Sequence, residues 1–155
     1  MIASAHLSVG AFSGVLVQRY LPPECGIVER VAAGFCVGVI SHILTDAVPH
    51  QEYSVAGYGL GLVLLLEISA VFTLVFYPPI QIAIALVLFS AMSGAAFPDL
   101  LGMVHTYLVR WPLLDLLGGA LHVFHGKMPV GFRVSFFVQT VISALAIFFV
   151  RSKLV

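Results

Sequence analysis

Apolar residues run through this chain in long blocks separated by prolines and short polar stretches. Blocks close to the roughly 20 residues that cross a bilayer as a helix predict membrane spans. Five are predicted from the sequence. The first runs from about Ile2 to Val17, carries Ser4, His6, Ser8 and Ser13, and gives way to the helix-breaking pair Pro22-Pro23. The second runs from Val28 to Val48 and stops at Pro49. The third runs from Tyr58 to Tyr77, before Pro78-Pro79, and the fourth from Ile80 to Phe97, where Pro98 stops or kinks it. The fifth runs from Val130 to Val150, with Arg151 and Lys153 marking the interface beyond. Gly34, Gly38, Ala91, Gly94 and Ala95 are the small residues that let helices pack closely in lipid.

Between the fourth and fifth spans lies Asp99 to Met128. Its stretch Pro112 to His125 is apolar but too short to cross. Asp115, Gly119 and His122 recur there at helical spacing, the pattern of an interfacial or re-entrant helix, with Arg110 and Trp111 beside it as interface anchors. The expected fold is therefore an all-α polytopic membrane bundle of about five spans, with one short extra helix before the last, forming a single integral membrane domain over residues 1–155.

Composition agrees. The chain is 61% hydrophobic and 9% charged, with a mean hydropathy of +1.10. Soluble domains lie near 45–50% apolar and about 25% charged. A formal net charge of zero gives nothing to attract nucleic acid. Cys25 and Cys36 sit in a loop and in an apolar helix, which suits neither a disulfide nor a thiolate metal motif. No cleavable signal peptide is expected, because a basic n-region is lacking and His6 interrupts the first apolar run.

Six histidines and three aspartates are unusual company for so apolar a chain. Ionisable groups at membrane depth are costly and by default mark function. Counting spans brings them together. If the chain begins at one face, the second and fourth spans return there, delivering His42, Asp46, His50 and Asp99. The segment with His105, Asp115, His122 and His125 lies at the same face, and so does His6. Glu67 lies roughly 15 Å into the third span and His42 roughly 12 Å into the second, at 1.5 Å per helical residue. His42 is the natural partner for that carboxylate.

The strongest motif is His42-Ile43-Leu44-Thr45-Asp46, whose imidazole and carboxylate are one helical turn apart on one face. Neutral imidazole with carboxylate is a metal-ligand combination; the same pair also reads as a polar contact between packed helices. His6, Asp99 of the Pro98-Asp99 step, and the pair His122/His125 are the further candidate ligands. His50 is a ligand, a proton carrier or an interface histidine. Glu67 suits a general base or a hydrogen-bond partner of a ligand. His105 and Asp115 suit supporting roles, Asp115 orienting His122 by the carboxylate–histidine device.

Taken together these residues resemble the YdjM-like predicted membrane-bound metal-dependent hydrolases. In that family an early His, a Pro-Asp at a helix end, a His pair and a His-x-x-x-Asp after an apolar run recur. His6, Pro98-Asp99, His122/His125 and His42 to Asp46 fill those places here, with His-x-x-x-Asp second rather than near the end, and with Leu101 where a second acid is usual. The resemblance implies a membrane-embedded hydrolase holding a divalent ion, zinc foremost, with manganese or calcium as alternatives. The site would open at the membrane interface, so a lipid headgroup or lipid-linked phosphoester or acyl substrate is expected, with Glu67 or His50 moving protons. The competing expectation is a non-enzymatic membrane protein, such as a metal or proton transporter or an assembly subunit. Arg19, Arg30, Arg151 and Lys153 gather at the other face, against Arg110, Lys127 and Arg133 at the histidine face. The positive-inside rule then places the site outside the cytoplasm, in what the resemblance implies is a prokaryotic plasma membrane.

Overall fold

The computed structural model describes residues 3–48, 58–77, 79–108, 111–121 and 131–154. These residues fold into an all-α bundle of helices α1 (Ala3–Tyr20), α2 (Ile27–Asp46), α3 (Tyr58–Phe76), α4 (Ile82–Tyr107), α5 (Pro112–Leu121) and α6 (Phe132–Leu154). Side-chain contacts fix the directions. Gly10 and Gly14 of α1 meet Ala95 and Leu88 of α4, so these two helices are antiparallel. Gly34 and Gly38 of α2 meet Val87 and Ala91, so α2 and α4 run together. Leu64 and Ile68 of α3 share a cavity with Leu100 and Met103, whereas Phe72 reaches Phe89, so α3 opposes α4. Phe12 meets Phe149, and the C-terminal residues of α1 and α6 share a second cavity. Thus α1, α3 and α6 run one way and α2 and α4 the other.

The α2–α4 pair is held by backbone approach. A Cβ on Gly38 would collide with the Ala91 carbonyl, and one on Gly94 with the Phe35 carbonyl. With no water-driven term between helices in lipid, such close contact is what binds them. At the far end Arg30 closes the α1–α2 turn. Its guanidinium donates to the carbonyls of Pro22 at 2.7 Å, Cys25 at 3.1 Å and Gln18 at 3.3 Å. A cation there satisfies carbonyls that the end of α1 leaves open.

Three helices are long and apolar enough to cross a membrane: α2, α4 over Ile82–Thr106 and α6 over Arg133–Leu154. The apolar part of α3, Gly61–Phe76, is shorter. Among the described residues a helical membrane bundle thus fits, and length and hydropathy confirm three of the five expected spans. The reason the others fall short is plainest in α1, which packs against α2, α3, α4 and α6. Its buried residues include His6, Ser8, Gly10, Ser13 and Gly14. A helix surrounded by protein needs small residues for fit, not apolar ones for lipid. Outward-facing positions elsewhere are apolar, with Leu65, Leu66, Ile82, Phe137 and Phe148 all exposed.

Of the two expectations for Pro98 the stop is not met, because the fourth helix continues to Tyr107. The short helix is present as α5, described to Leu121 and packed on α4; His122 and His125 lie outside the described residues. So does His50.

Candidate metal centre

His42 and Asp46 occupy the last turns of α2, His6 the second turn of α1, and Asp99 the turn after Pro98 in α4. Their meeting follows from the helix directions, because α1 begins where α2 ends. His6 Nε2 lies 3.3 Å from Asp46 Oδ1 and 3.9 Å from Asp99 Oδ2. His42 Nε2 lies 3.3 Å from Asp46 Oδ2 and 3.9 Å from Asp99 Oδ1. Each carboxylate thus presents one oxygen to each imidazole. The two rings stack, with centroids 4.1 Å apart and planes 17° from parallel. His42 is fully buried, His6 and Asp46 nearly so, while the Asp99 side chain is 48% exposed. Asp99 therefore stands at the open side of the cluster.

The tautomer of His42 is set by a backbone group. Nδ1 lies 2.8 Å from the Ala95 carbonyl oxygen. A carbonyl only accepts, so Nδ1 carries a proton and donates it. Pro98, having no N–H, leaves the Gly94 carbonyl four residues earlier without its helical donor, and its ring crowds that turn. Ala95 is the next residue in that turn, and its carbonyl oxygen is the one His42 of α2 takes. The remaining nitrogen, Nε2, then offers its lone pair to the carboxylates.

A second lone pair, or a negative oxygen, facing another is unfavourable unless a cation sits between them. Protonating an imidazole is one remedy. A charge-assisted N–H···O bond, however, closes to about 2.7–2.9 Å, and both imidazole–Asp46 separations are 3.3 Å. Ligands at 2.0–2.2 Å from a tetrahedral ion stand about 3.3–3.6 Å apart. The imidazole–Asp46 distances match that edge, and the Asp99 distances of 3.9 Å are a little wider. Ligand atoms of His6, His42 and Asp99 all lie within 4.8 Å of one another. The donor set of neutral imidazole and carboxylate suits zinc or manganese better than calcium, which takes oxygen ligands. The Nδ1–carbonyl bond of His42 is the usual device for orienting a metal-bound imidazole. His6 Nδ1 is buried with no hydrogen-bond partner among the described residues.

Glu67 does something the sequence did not disclose. Its Oε2 accepts the backbone N–H of Ser4 at 3.1 Å, holding the first turn of α1 two residues before His6. A carboxylate at a helix N-terminus satisfies an open donor and complements the dipole. His105 is half-buried near the end of α4, about 9 Å along the axis from Asp99 at 1.5 Å per residue. Asp115 lies in α5, close in sequence to the undescribed His122. Among the described candidates, then, the structure brings together His6, His42, Asp46 and Asp99, and sets Glu67 against the helix that carries His6. Ala95, Ser4 and Pro98 were not singled out as supporting groups, and a backbone carbonyl or amide leaves no mark in a sequence.

Comparison with protein-family models, curated proteins and solved structures returns no match for the chain.

Proposed function

We propose that this is a membrane-embedded metal-dependent hydrolase, spanning the bilayer with α1, α2, α3, α4 and α6, whose centre is His6, His42, Asp46 and Asp99. The observation that carries the proposal is the convergence of two imidazole Nε2 atoms on the same two carboxylates, with His42 locked in the ligand tautomer by Ala95. A divalent ion there would supply positive charge for a phosphoryl or acyl oxygen and would acidify water. The protein's own residues would do the rest. Asp99, half-exposed, faces the incoming group; His42, Asp46 and His6 hold the charge and exclude water from behind. Glu67, fixed on the α1 terminus, keeps His6 in place, and a proton-transfer role for it is part of the same proposal.

The resemblance to the YdjM-like hydrolases supports the reaction class, and zinc is the ion the donor set favours. A transporter reading draws on the same ligands but needs polar groups leading to both faces. At the opposite end the cavity between α1 and α6 is lined by Val15, Ile84 and Leu154 as well as Gln18, Arg19 and Lys153. Its cations would repel a travelling metal ion, which favours a one-sided pocket.

The test is elemental analysis of purified protein beside its variants, followed by assays on phosphodiester and acyl-ester substrates with the metal restored. Near-stoichiometric metal in the wild type, lost in His42→Ala and in Asp46→Asn, with hydrolysis tracking metal content, is the expected result. Folded wild-type protein that takes up neither zinc, manganese nor calcium would end the proposal.

A further inference from the structure

Beside the cluster lies a cavity of about 270 Å³ between α1, α3 and α4. Among the described residues its polar side chains are His6 and Asp99; the rest of the described wall is apolar, chiefly Leu7, Leu64, Ile68, Leu100 and Met103. Two features give it direction. Near the middle of the helices α3 touches α4 through Phe72 and Phe89, with ring centroids 6.0 Å apart. Toward the cluster the cavity itself lies between Leu64 and Ile68 of α3 and Leu100 and Met103 of α4, and α3 packs mainly on α1 and α6 among the described residues. The gap is therefore closed at its deep end and open sideways, where Ile68, Leu100 and Met103 are 39%, 55% and 50% exposed. In a bilayer those side chains face hydrocarbon, so the opening leads to lipid rather than to water.

The cavity also follows the helix axes. From Ala96 to Met103 it spans about 10 Å of α4 at 1.5 Å per residue. Its volume lies near the lower end of small-ligand pockets, roughly 300 Å³. That suits a segment of an alkyl or prenyl chain, not a whole lipid. An apolar slot would by itself admit any hydrocarbon. This one also presents Asp99 and His6 in its wall, which no hydrocarbon would approach without cost.

We infer that the slot between α3 and α4 receives the chain of a single membrane lipid, entering sideways from the bilayer with its oxygen-bearing headgroup set against Asp99 and His6. The inference rests on the proposed metal centre for the fate of the headgroup, because two carboxylates repel a phosphate unless a cation lies between them. The slot itself rests on packing alone. Substrate choice then has two parts. The cluster selects an oxygen ligand, and Leu64, Ile68 and Met103 select the chain attached to it. Water-soluble esters of the same headgroup would reach the cluster without this hold and bind more weakly.

The test uses the full chain in phosphatidylcholine vesicles doped with a phosphatidic acid that carries a diazirine midway along one acyl chain. After illumination, labelled residues are mapped by mass spectrometry. The expected result is concentrated labelling on Leu64, Ile68, Leu100 and Met103, above that of the lipid-facing Phe137 and Phe148. Leu64→Trp, which fills the slot, should reduce slot labelling at least several-fold, while Leu65→Trp, on the exposed face, should not. Met103→Trp serves as a second slot-filling variant should Leu64→Trp fail to fold. Metal content, measured on the same samples, separates the two claims. Slot labelling that persists in protein without metal would retain the lipid slot and remove only the metal centre. Slot labelling no stronger than that of Phe137 and Phe148, or unchanged by Leu64→Trp and Met103→Trp in metal-loaded protein, would overturn the inference.

Discussion

His42 shows how much of this site depends on groups one step behind the ligands. Its imidazole is aimed by the Ala95 carbonyl, and that carbonyl lies in the turn disturbed by Pro98. Pro98→Ala would restore an N–H to the Gly94 carbonyl and close up that turn, drawing the neighbouring Ala95 carbonyl away from His42. The expected outcome is a better-formed helix with metal affinity reduced about 10- to 100-fold, the usual effect of losing a partner behind a ligand. Metal titration beside circular dichroism checks it; unchanged affinity with intact fold would remove Pro98 from the account. Glu67 invites a sharper pair of variants. Gln can still accept the Ser4 N–H through its amide oxygen, whereas Leu cannot. If Glu67 only positions α1, Glu67→Gln should keep both metal and turnover, and Glu67→Leu should lower both metal occupancy and melting temperature. If it also moves protons, Glu67→Gln should keep metal and lose most of its turnover.

The helices show which parts of this arrangement a sequence discloses. The cores of α2, α3 and α6 stand out because each is an apolar run bounded by prolines or charges. The His42–Asp46 pair stands out because a four-residue spacing is local. The approach of His6 and Asp99 to that pair was legible only through the alternation of spans. What stayed hidden had two causes. Pro98 reads equally as a stop or a kink, because local rules do not include the neighbouring helices packed around it that let α4 continue. The Ser4–Glu67 bond joins residues 63 apart, a distance no periodicity encodes. Helix α1 is a different case: its central position lets it carry His6, Ser8 and Ser13 among its buried residues, and it is not among the helices apolar enough to cross by length and hydropathy. The α2–α4 contact gives a test at this scale. Gly38→Val should force α2 from the Ala91 carbonyl and carry His42 away from Ala95, so both stability and metal binding should fall. Gly61→Ala meets nothing within 4 Å and should stabilise α3 by up to about 1 kcal/mol through helix propensity alone. Thermal melts in one detergent compare the two, and a Gly38→Val protein as stable and metal-replete as wild type would contradict the packing argument.

For the whole molecule, the metal would be a fold element as well as a reagent, because its ligands come from three helices. His6 brings α1, His42 and Asp46 bring α2, and Asp99 brings α4. Binding to the folded form alone stabilises it by about 2.7 kcal/mol at a hundredfold excess over Kd. Chelation should therefore lower the melting temperature measurably, and zinc should restore it. The sign of the pH effect follows from the ligands. Imidazole must be neutral and carboxylate ionised to bind, so affinity should fall as acid protonates the ligands. The stabilisation by metal should vanish with it, while metal-free protein lacks that component of the pH dependence. The two ends of the bundle add a direction to this. Arg19, Arg30, Arg151 and Lys153 lie at the end opposite the cluster. By the positive-inside rule, the orientation we propose sets this end in the cytoplasm and the cluster outside. In sealed right-side-out vesicles, acidifying only the external medium should then strip the metal, and acidifying only the lumen should not. Stripping by luminal acid alone would reverse the orientation while leaving the ligand set intact. Metal retained in folded His6→Ala and His42→Ala variants would exclude these residues as its ligands.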